Sequence, residues 1–245
     1  MFEKLNLEGQ IALVTGANRG IGLAIVNLLK ERGAQVIATA RKEEDIENLN
    51  SQGFISMTCD VANVGSIEAL KAQLSEQNLK PSILINNAGI STLKLLPRLT
   101  TNEWQKVMNT NFNACFELTK RFIGDMSKLK FGRIINMSSI LSSSPQKGFS
   151  HYAASKSAIE GFTRSIAIEY ASKGVTANCI CPGFVDTEML DNLGEKGKEM
   201  MRSNIPMGYL AEPNDIAELI CFLASPAARY ITGECIHING GMYFN

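Results

Sequence analysis

Several residue types and patterns are scarce in this sequence of 245 residues. It contains two histidines and one tryptophan, and its 24 lysine and arginine residues are balanced by 24 aspartate and glutamate residues. Without excess positive charge or a polybasic run, nothing favours binding to nucleic acid or to a membrane surface. No apolar run reaches the roughly 18 residues that span a bilayer, and residues 1–4 do not open a signal peptide. We therefore expect a cytoplasmic protein.

Cysteine is present, but not in a metal-binding pattern. Only two of the cysteines are close in sequence, and neither a second pair nor the two histidines complete a set of zinc ligands. We expect reduced core thiols and no metal site. The six are Cys59, Cys115, Cys179, Cys181, Cys221 and Cys235.

The remaining pattern is that of one α/β domain. Apolar residues make up 45% of the chain, and apolar runs alternate with helical patterns without a linker or repeat. Such alternation predicts a doubly wound parallel sheet, Rossmann-like, with helices on both faces and a single domain over residues 1–245. The predicted strands cover residues 10–14, 35–39, 54–59, 82–85, 133–137, 175–180 and 235–238.

A glycine-rich turn follows the first strand and opens a helix that stops at Gly33. Glycines let the backbone approach a pyrophosphate, and a helix N-terminus supplies free N–H groups and a positive dipole. The turn therefore predicts a dinucleotide site, although its spacing is not the common G-x-G-x-x-G. A tight turn without a ligand is the alternative. The residues assigned to the cofactor here are Gly16, Asn18, Arg19, Gly20, Ile21 and Gly22.

The end of the second strand lacks the acid that would hold a ribose 2′-hydroxyl. It reads Thr39-Ala40-Arg41-Lys42, with no acid before Glu43. Arg41, with Arg19 from the glycine turn, suits a 2′-phosphate and so predicts NADP, used as NADPH. Alternatively, Arg41 and Lys42 are only the solvated start of the next helix.

Two further strand ends are assigned to the cofactor. After the third strand, Asp60 either accepts a hydrogen bond from an adenine amino group or caps the helix that opens near Val64. After the fourth strand, small and amide residues let the chain pass close under a ligand. The residues assigned are Asp60, Val61, Asn87, Ala88 and Gly89.

Tyr152 and Lys156 are four residues apart in a predicted helix that extends to about residue 171, so they share one face. An ammonium group beside a phenol lowers the tyrosine pKa from roughly 10 towards working pH. Such a tyrosine can give or take a proton at a carbonyl or alcohol oxygen. Because Tyr-x-x-x-Lys is frequent by chance, an ordinary amphipathic face is the alternative.

Two other segments carry functional predictions. A helix predicted over residues 101–128 contains Asn109, Asn111 and Asn113, and asparagine is unfavourable inside helices. One of them is expected to serve chemistry, and periodicity does not say which. Residues 184–208 are methionine-rich and interrupted by glycine, which predicts a substrate lid. A plain surface excursion is the alternative.

Together these motifs resemble those of the short-chain dehydrogenase/reductase family over nearly the whole chain. The segments at residues 230–234 and 237–242 are most similar to its 3-oxoacyl-[acyl-carrier-protein] reductases. The shared residues are Thr15-Gly16-x-x-x-Gly20-Ile21-Gly22, Asn86-Asn87-Ala88-Gly89, Asn111, Ser139, Tyr152-x-x-x-Lys156 and Pro182-Gly183.

The resemblance implies a role for each of four catalytic residues. Tyr152 would give a proton to the substrate carbonyl, and Lys156 would hold the nicotinamide ribose and tune Tyr152. Ser139 would polarise the carbonyl, and Asn111 would anchor a water relay that resupplies the proton. In Pro-Gly-x-x-x-Thr, the last residue would bind the carboxamide. The cofactor segment implied there contains Pro182, Gly183, Val185 and Thr187.

The resemblance also implies a reaction, the NADPH-dependent reduction of a 3-oxoacyl thioester on acyl carrier protein in fatty acid synthesis. Two stretches differ from those reductases: Ser91-Thr92-Leu93 stands where Thr-Arg-Asp is frequent, and the loop after Ser139 is richer in serine and proline. Since both would border the substrate, a dehydrogenase of a sugar, polyol or other secondary alcohol is the alternative. A cofactor-binding regulatory protein without catalysis is a third hypothesis, which the intact Asn-Ser-Tyr-Lys set opposes.

Two kinds of partner are expected. Lys130 and Lys173 match basic residues that, in acyl reductases, lie beside the pocket and dock the acidic carrier protein; solvated surface lysines are the alternative. The helices also carry more apolar residues than one sheet can cover. Because family members commonly pair these helices between subunits, we expect a homotetramer. The residues concerned are Phe112, Phe116, Phe122, Phe162, Ile166 and Ile168.

Overall fold

A parallel seven-stranded sheet organises the chain, as predicted. In the computed structural model, residues 5–188, 190 and 194–244 are described; residues 1–4 and part of the predicted lid at 184–208 lie outside the described residues. The strand order is β3-β2-β1-β4-β5-β6-β7, and every neighbouring pair is parallel. The strands are β1 Ile11–Thr15, β2 Gln35–Ala40, β3 Ile55–Thr58, β4 Ile83–Asn86, β5 Gly132–Met137, β6 Val175–Pro182 and β7 Cys235–Ile238.

Helices cover both faces of the sheet, since the central strand β1 is apolar on both sides. Along β1, Ala12 and Val14 join one buried cluster with residues of α1, α2 and α8, whereas Leu13 joins the opposite cluster with residues of α3, α5 and α6. The helices are α1 Gly20–Glu31, α2 Glu43–Ser51, α3 Val64–Glu76, α4 Thr101–Met108, α5 Ala114–Leu129, α6 Ser150–Tyr170, α7 Gly194–Ser203 and α8 Pro213–Ala224. Among the described residues, no helix is long and apolar enough to cross a membrane.

The helix predicted over residues 101–128 is not continuous. Thr100 caps α4 in a capping box with Glu103, and a π-helical turn at Asn109–Asn113 separates α4 from α5. Such turns carry one extra residue per turn and often occur at functional sites. Here the turn buries Asn111, which is 3% exposed.

The strand order reverses between β1 and β4. The strand that follows β1 in the chain lies on one side of this pair, and the strand that follows β4 lies on the other. In open α/β sheets, ligands bind in the crevice at the carboxyl ends of the strands at such a point. The glycine turn follows β1, Asn87 follows β4 and Ser139 follows β5, so the sheet brings these segments to one edge.

Candidate active site

The glycine turn forms a cradle into which side chains would not fit. Gly16 has φ of +64°, and a Cβ atom on Gly22 would lie 2.0 Å from the Gly16 carbonyl oxygen and 2.7 Å from Asn87 Nδ2. Arg19, the N-cap of α1, makes no side-chain capping hydrogen bond, so its side chain leaves the first-turn N–H groups uncovered. A close backbone and a bare helix N-terminus fit a pyrophosphate.

The segment after β4 is tied to this turn by four hydrogen bonds. Asn87 Nδ2 donates to the carbonyl oxygens of Thr15 at 2.9 Å and Gly16 at 3.0 Å. The backbone N–H groups of Asn87 and Ala88 donate to Thr15 Oγ1 at 3.1 and 3.0 Å. The amide of Asn87 therefore fixes the floor of the crevice.

Two arginine residues lie near the end of β2. Ala40 is buried at the end of β2, while Arg41 and Arg19 are exposed. Over the described ranges, neither arginine has a hydrogen-bonded or ion-paired side chain. Two unpaired guanidinium groups at this edge suit a phosphate.

The helix-cap alternative for Asp60 is wrong. Asn63 caps α3, its side chain accepting from the Ser66 N–H, whereas Asp60 Oδ1 accepts from the Ala62 N–H at 3.0 Å. The contact of Asp60 with adenine stays a prediction. Val61 packs into the core with 8% exposure.

Three of the predicted catalytic side chains meet between β5 and α6. Lys156 Nζ lies 5.5 Å from the centre of the Tyr152 ring and donates to the Met137 carbonyl oxygen at 2.6 Å. The hydroxyl of Ser139 lies beside the Tyr152 phenol. Ser139 is held in turn because its Oγ accepts from the Leu141 N–H at 3.2 Å.

The predicted lowering of the Tyr152 pKa by Lys156 is wrong for this structure. Burial raises the pKa of Tyr152 above its usual value, and the neighbouring Ser139 hydroxyl opposes that rise. Burial also lowers the pKa of Lys156 to about 8. The charged forms of both groups are disfavoured because the same burial removes water from both. The phenol therefore keeps its proton at neutral pH.

Asn111 bridges the segment after β4 to α6. Its Nδ2 donates to the Ile90 carbonyl oxygen at 3.0 Å and to Ser155 Oγ at 3.1 Å, and its Oδ1 accepts from the Ile90 N–H at 2.8 Å. A Cβ on Gly89 would lie 3.3 Å from Asn111 Oδ1 and 3.6 Å from Lys156 Nζ. Both amide protons are used, and one acceptor site of Oδ1 remains beside the lysine.

Sequence reasoning missed Glu160, a carboxylate that is 9% exposed. Its Oε1 accepts hydrogen bonds from Ser138 and Ser142, the residues on either side of the Ser139 turn. The signal was available, because residues 152, 156 and 160 repeat every four positions and so share a helix face.

The segment after β6 lies over the glycine turn. A Cβ on Gly20 would be 3.2 Å from Thr187 Cγ2, and one on Gly183 would be 2.8 Å from Asn239 Cα. Val185 is buried and bridges to Ala211. Thr187 thus reaches the crevice, while α7, further along the predicted lid, has no buried residue.

Lys130 and Lys173 lie at the edge of the sheet where the strands begin, opposite the crevice at the carboxyl ends. They precede β5 and β6, and Gly132 N–H donates to the Gly174 carbonyl oxygen, which brings the two loops together. With six residues in β5, the two edges of the sheet are about 20 Å apart. Within one chain the lysines are therefore not beside the pocket.

The stretch that departs from the acyl reductases, Ser91-Thr92-Leu93, contacts α6. Thr92 Oγ1 and His151 Nε2 are 2.9 Å apart, next to Tyr152 in sequence. Burial lowers the pKa of His151, so the neutral ring is favoured. Within the described part of the chain, no group of three histidine, cysteine or acidic side chains is arranged to hold a metal ion.

Comparisons with known proteins agree with this arrangement. A family profile described as enoyl-(acyl carrier protein) reductase matches residues 16–243. The 3-oxoacyl-[acyl-carrier-protein] reductase FabG of Vibrio cholerae is 44% identical, over 98% of this chain and 99% of its own. That of Pseudomonas aeruginosa is 40% identical, over 98% and 100%. A putative gluconate dehydrogenase from Agrobacterium tumefaciens superimposes with a TM-score of 0.91 at 29% identity, over 98% of each chain.

Proposed function

Because the chain belongs to the short-chain dehydrogenase/reductase family, we propose that it is a cytoplasmic enzyme that reduces 3-oxoacyl thioesters on acyl carrier protein with NADPH, in fatty acid synthesis. The observation that carries the proposal is the meeting of Ser139, Tyr152 and Lys156 beside the glycine-turn crevice. Identities of 40–44% to reductases of that name, over almost the full chain, support the choice of substrate.

Different residues of the crevice would bind different parts of the cofactor. The glycine turn would take the pyrophosphate, Arg19 and Arg41 the 2′-phosphate, and Asp60 with Val61 the adenine. Lys156 would hold the nicotinamide ribose and Thr187 the carboxamide. Bound there, a nicotinamide cofactor supplies the hydride.

The chain's own residues would bind the carbonyl oxygen and supply its proton. The hydroxyls of Ser139 and Tyr152 are neighbours, so an oxygen placed between them can accept a hydrogen bond from both. Tyr152 can donate a proton because burial keeps its phenol neutral. Asn111 and Lys156 would hold the water that returns the proton.

A second candidate is a dehydrogenase of a sugar, polyol or other secondary alcohol. The structural likeness to a putative gluconate dehydrogenase and the departure at residues 91–93 favour it. The two candidates differ in the size and charge of the substrate, since only the first is delivered by an acidic protein.

Charge reversal at Lys130 and Lys173 tests that difference. We expect Lys130→Glu with Lys173→Glu to raise KM for a carrier-bound 3-oxoacyl substrate several-fold and to leave a small thioester analogue unaffected. Rising salt should weaken the carrier reaction in the wild type, because exposed charges are screened. Since the lysines lie far from their own crevice, they would serve the site of a neighbouring subunit.

Lys80→Glu with Lys106→Glu is the matched control, because both lysines are exposed and the net charge changes equally. Steady-state KM for both substrates is the measurement. Equal effects on the two substrates, or no effect on either, would favour the alcohol dehydrogenase.

The apolar outer face of α5 and α6 supports the proposed homotetramer. Phe122 and Ile166 turn out to face the sheet, but Phe116 is 38% exposed and Ile168 is 83% exposed. The rings of Phe112 and Phe116 both stack edge-on against Phe162. A ridge of this kind on paired helices suits a second subunit.

Sedimentation should therefore give a tetramer at micromolar concentration. Ile168→Asp should dissociate it into smaller species, because a carboxylate would be buried in the contact. Val64→Asp, at an exposed apolar residue of α3, should not change the sedimentation coefficient. A wild-type monomer would refute the assembly.

A further inference from the structure

Three cysteine side chains meet on the α6 side of the sheet. Cys179 and Cys181 are two residues apart on β6 and so face the same way, and the strand register pairs Cys179 with Cys235 on β7. The first two are 0% exposed, and Cys235 is half-buried. Ile159 and Phe162 of α6 pack against this three-thiol cluster.

The three sulfur atoms are not equivalent. Arg164 Nη1 donates to Cys235 Sγ at 3.3 Å, whereas the Cys179 thiol donates to Thr163 Oγ1 at 3.1 Å and the Cys181 thiol to Glu160 Oε1 at 3.5 Å. Contact with the neighbouring Cys179 and Cys181, and the charges of Arg164 and His237, lower the pKa of Cys235 below its ordinary value. The pKa values of the other two thiols are raised by the same contact and by burial. The guanidinium group of Arg164 favours the thiolate of Cys235, whereas Cys179 and Cys181 donate to oxygen atoms as thiols.

The remaining cysteines provide a contrast within the same chain. Burial raises the pKa values of Cys115 and Cys221 to about 12, and it also raises that of Cys59. The thiolate is the reactive form of cysteine, and its reactivity depends on pKa and access. Cys235 is the one cysteine among the six that combines a guanidinium donor at its sulfur with incomplete burial.

The geometry also provides a partner for an oxidised sulfur. Adjacent strands lie roughly 4.8 Å apart, so the paired Cα atoms of Cys179 and Cys235 are near the 4.4–6.8 Å range of disulfides. Cys181, two residues further along β6, is diagonal to Cys235, and the Cα atoms of diagonal neighbours are roughly 7 Å apart or more. Cys179 is therefore the better resolving thiol.

We propose that Cys235 is a peroxide-reactive thiolate and that Cys179 resolves its oxidised form, which makes the three-thiol cluster a site of reversible disulfide formation. The Cys235 thiolate attacks one peroxide oxygen, forming a sulfenic acid and releasing hydroxide. The Cys179 thiol then displaces water from that sulfenic sulfur as the S–S bond forms. Two thiols lose two electrons in total and one peroxide becomes two waters; a dithiol reverses the change.

Peroxide treatment of the full-length protein tests the proposal. We expect low equivalents of hydrogen peroxide to consume two of the six thiols, and peptide mass spectrometry to find Cys179 joined to Cys235. Dithiothreitol should restore both. Loss of no thiol, or a disulfide between other cysteines, would overturn the proposal.

Variants separate the two roles. Cys235→Ser should slow thiol loss at least tenfold, and Cys179→Ser should stop at a sulfenic acid that dimedone traps on Cys235. Cys221→Ser is the control and should behave as the wild type. Wild-type kinetics in Cys235→Ser would contradict the assignment.

A measurement on the wild-type protein does not depend on how the variants fold. Iodoacetamide should alkylate Cys235 at pH 6 at least tenfold faster than any other cysteine of the native chain. If Cys235 labels no faster than the others at that pH, the sulfur is an ordinary thiol and the proposal fails.

Discussion

Tyr152→Phe is expected to lower turnover at least as much as the loss of general acid–base catalysis does, roughly 10²–10⁴-fold. The phenylalanine keeps most of the ring volume and its contact with Lys156 but has no proton to give. It also leaves Ser139 as the only one of the two neighbouring hydroxyls that can donate to the carbonyl oxygen. NADPH binding should change little, because the glycine turn and the arginines are untouched.

The measurement is kcat for substrate reduction together with NADPH affinity by fluorescence titration. Tyr170→Phe is the matched control, since Tyr170 lies at the far end of the same helix. The protonation of Tyr152 sets the expected pH dependence of turnover. Because its pKa is raised, the phenol stays protonated through neutral pH and loses its proton only at alkaline pH. Near-normal turnover in Tyr152→Phe would remove this residue from the mechanism.

A switch of cofactor preference is the second large effect. The 2′-phosphate of NADPH needs cationic donors, and Arg19 and Arg41 are exposed and unpaired in the described chain. Hydrogen bonds to charged groups contribute roughly 1.5–3 kcal/mol each, so the wild type should prefer NADPH by about ten-fold or more. Ala40→Asp with Arg41→Ala should lower NADPH affinity sharply and favour NADH, because the new carboxylate repels the phosphate and binds a hydroxyl.

Single variants distinguish the two arginines. If Arg41 only faces solvent at the start of α2, Arg19→Ala should lose NADPH affinity and Arg41→Ala should not. Dissociation constants for NADPH and NADH on both variants give the answer, with NADH affinity as the internal control. A wild type that prefers NADH, or a double variant with unchanged NADPH affinity, would exclude the phosphate site.

The sheet could be predicted from the sequence because its signals are local. The central strands β1 and β4 are short runs that are mostly apolar on both faces, and such runs need helices above and below. The glycine turn was recognisable for the same reason, since Gly16 and Gly22 meet a steric demand that only glycine satisfies. The proximity of Tyr152 to Lys156 could be predicted because residues four apart share one face of a helix.

The properties that were missed depend on packing between distant segments. The π-helical turn around Asn111 is fixed by contacts with Ile90 and Ser155, which lie 21 and 44 residues away. The direction of the Tyr152 pKa depends on burial, which the spacing of tyrosine and lysine does not reveal. The cysteines are scattered in the sequence, and only the register of β6 and β7 places Cys179 beside Cys235.

Oxidation of NADPH at 340 nm, with a panel of substrates, tests the central claim most directly. The panel should contain a carrier-bound 3-oxoacyl substrate, its small thioester analogue, simple ketones and keto sugars. We expect the carrier-bound 3-oxoacyl substrate to give the highest kcat/KM, NADH to support it at least about ten-fold less well, and Tyr152→Phe to abolish most of the activity. A higher kcat/KM for a sugar or ketone than for every 3-oxoacyl thioester would contradict the account.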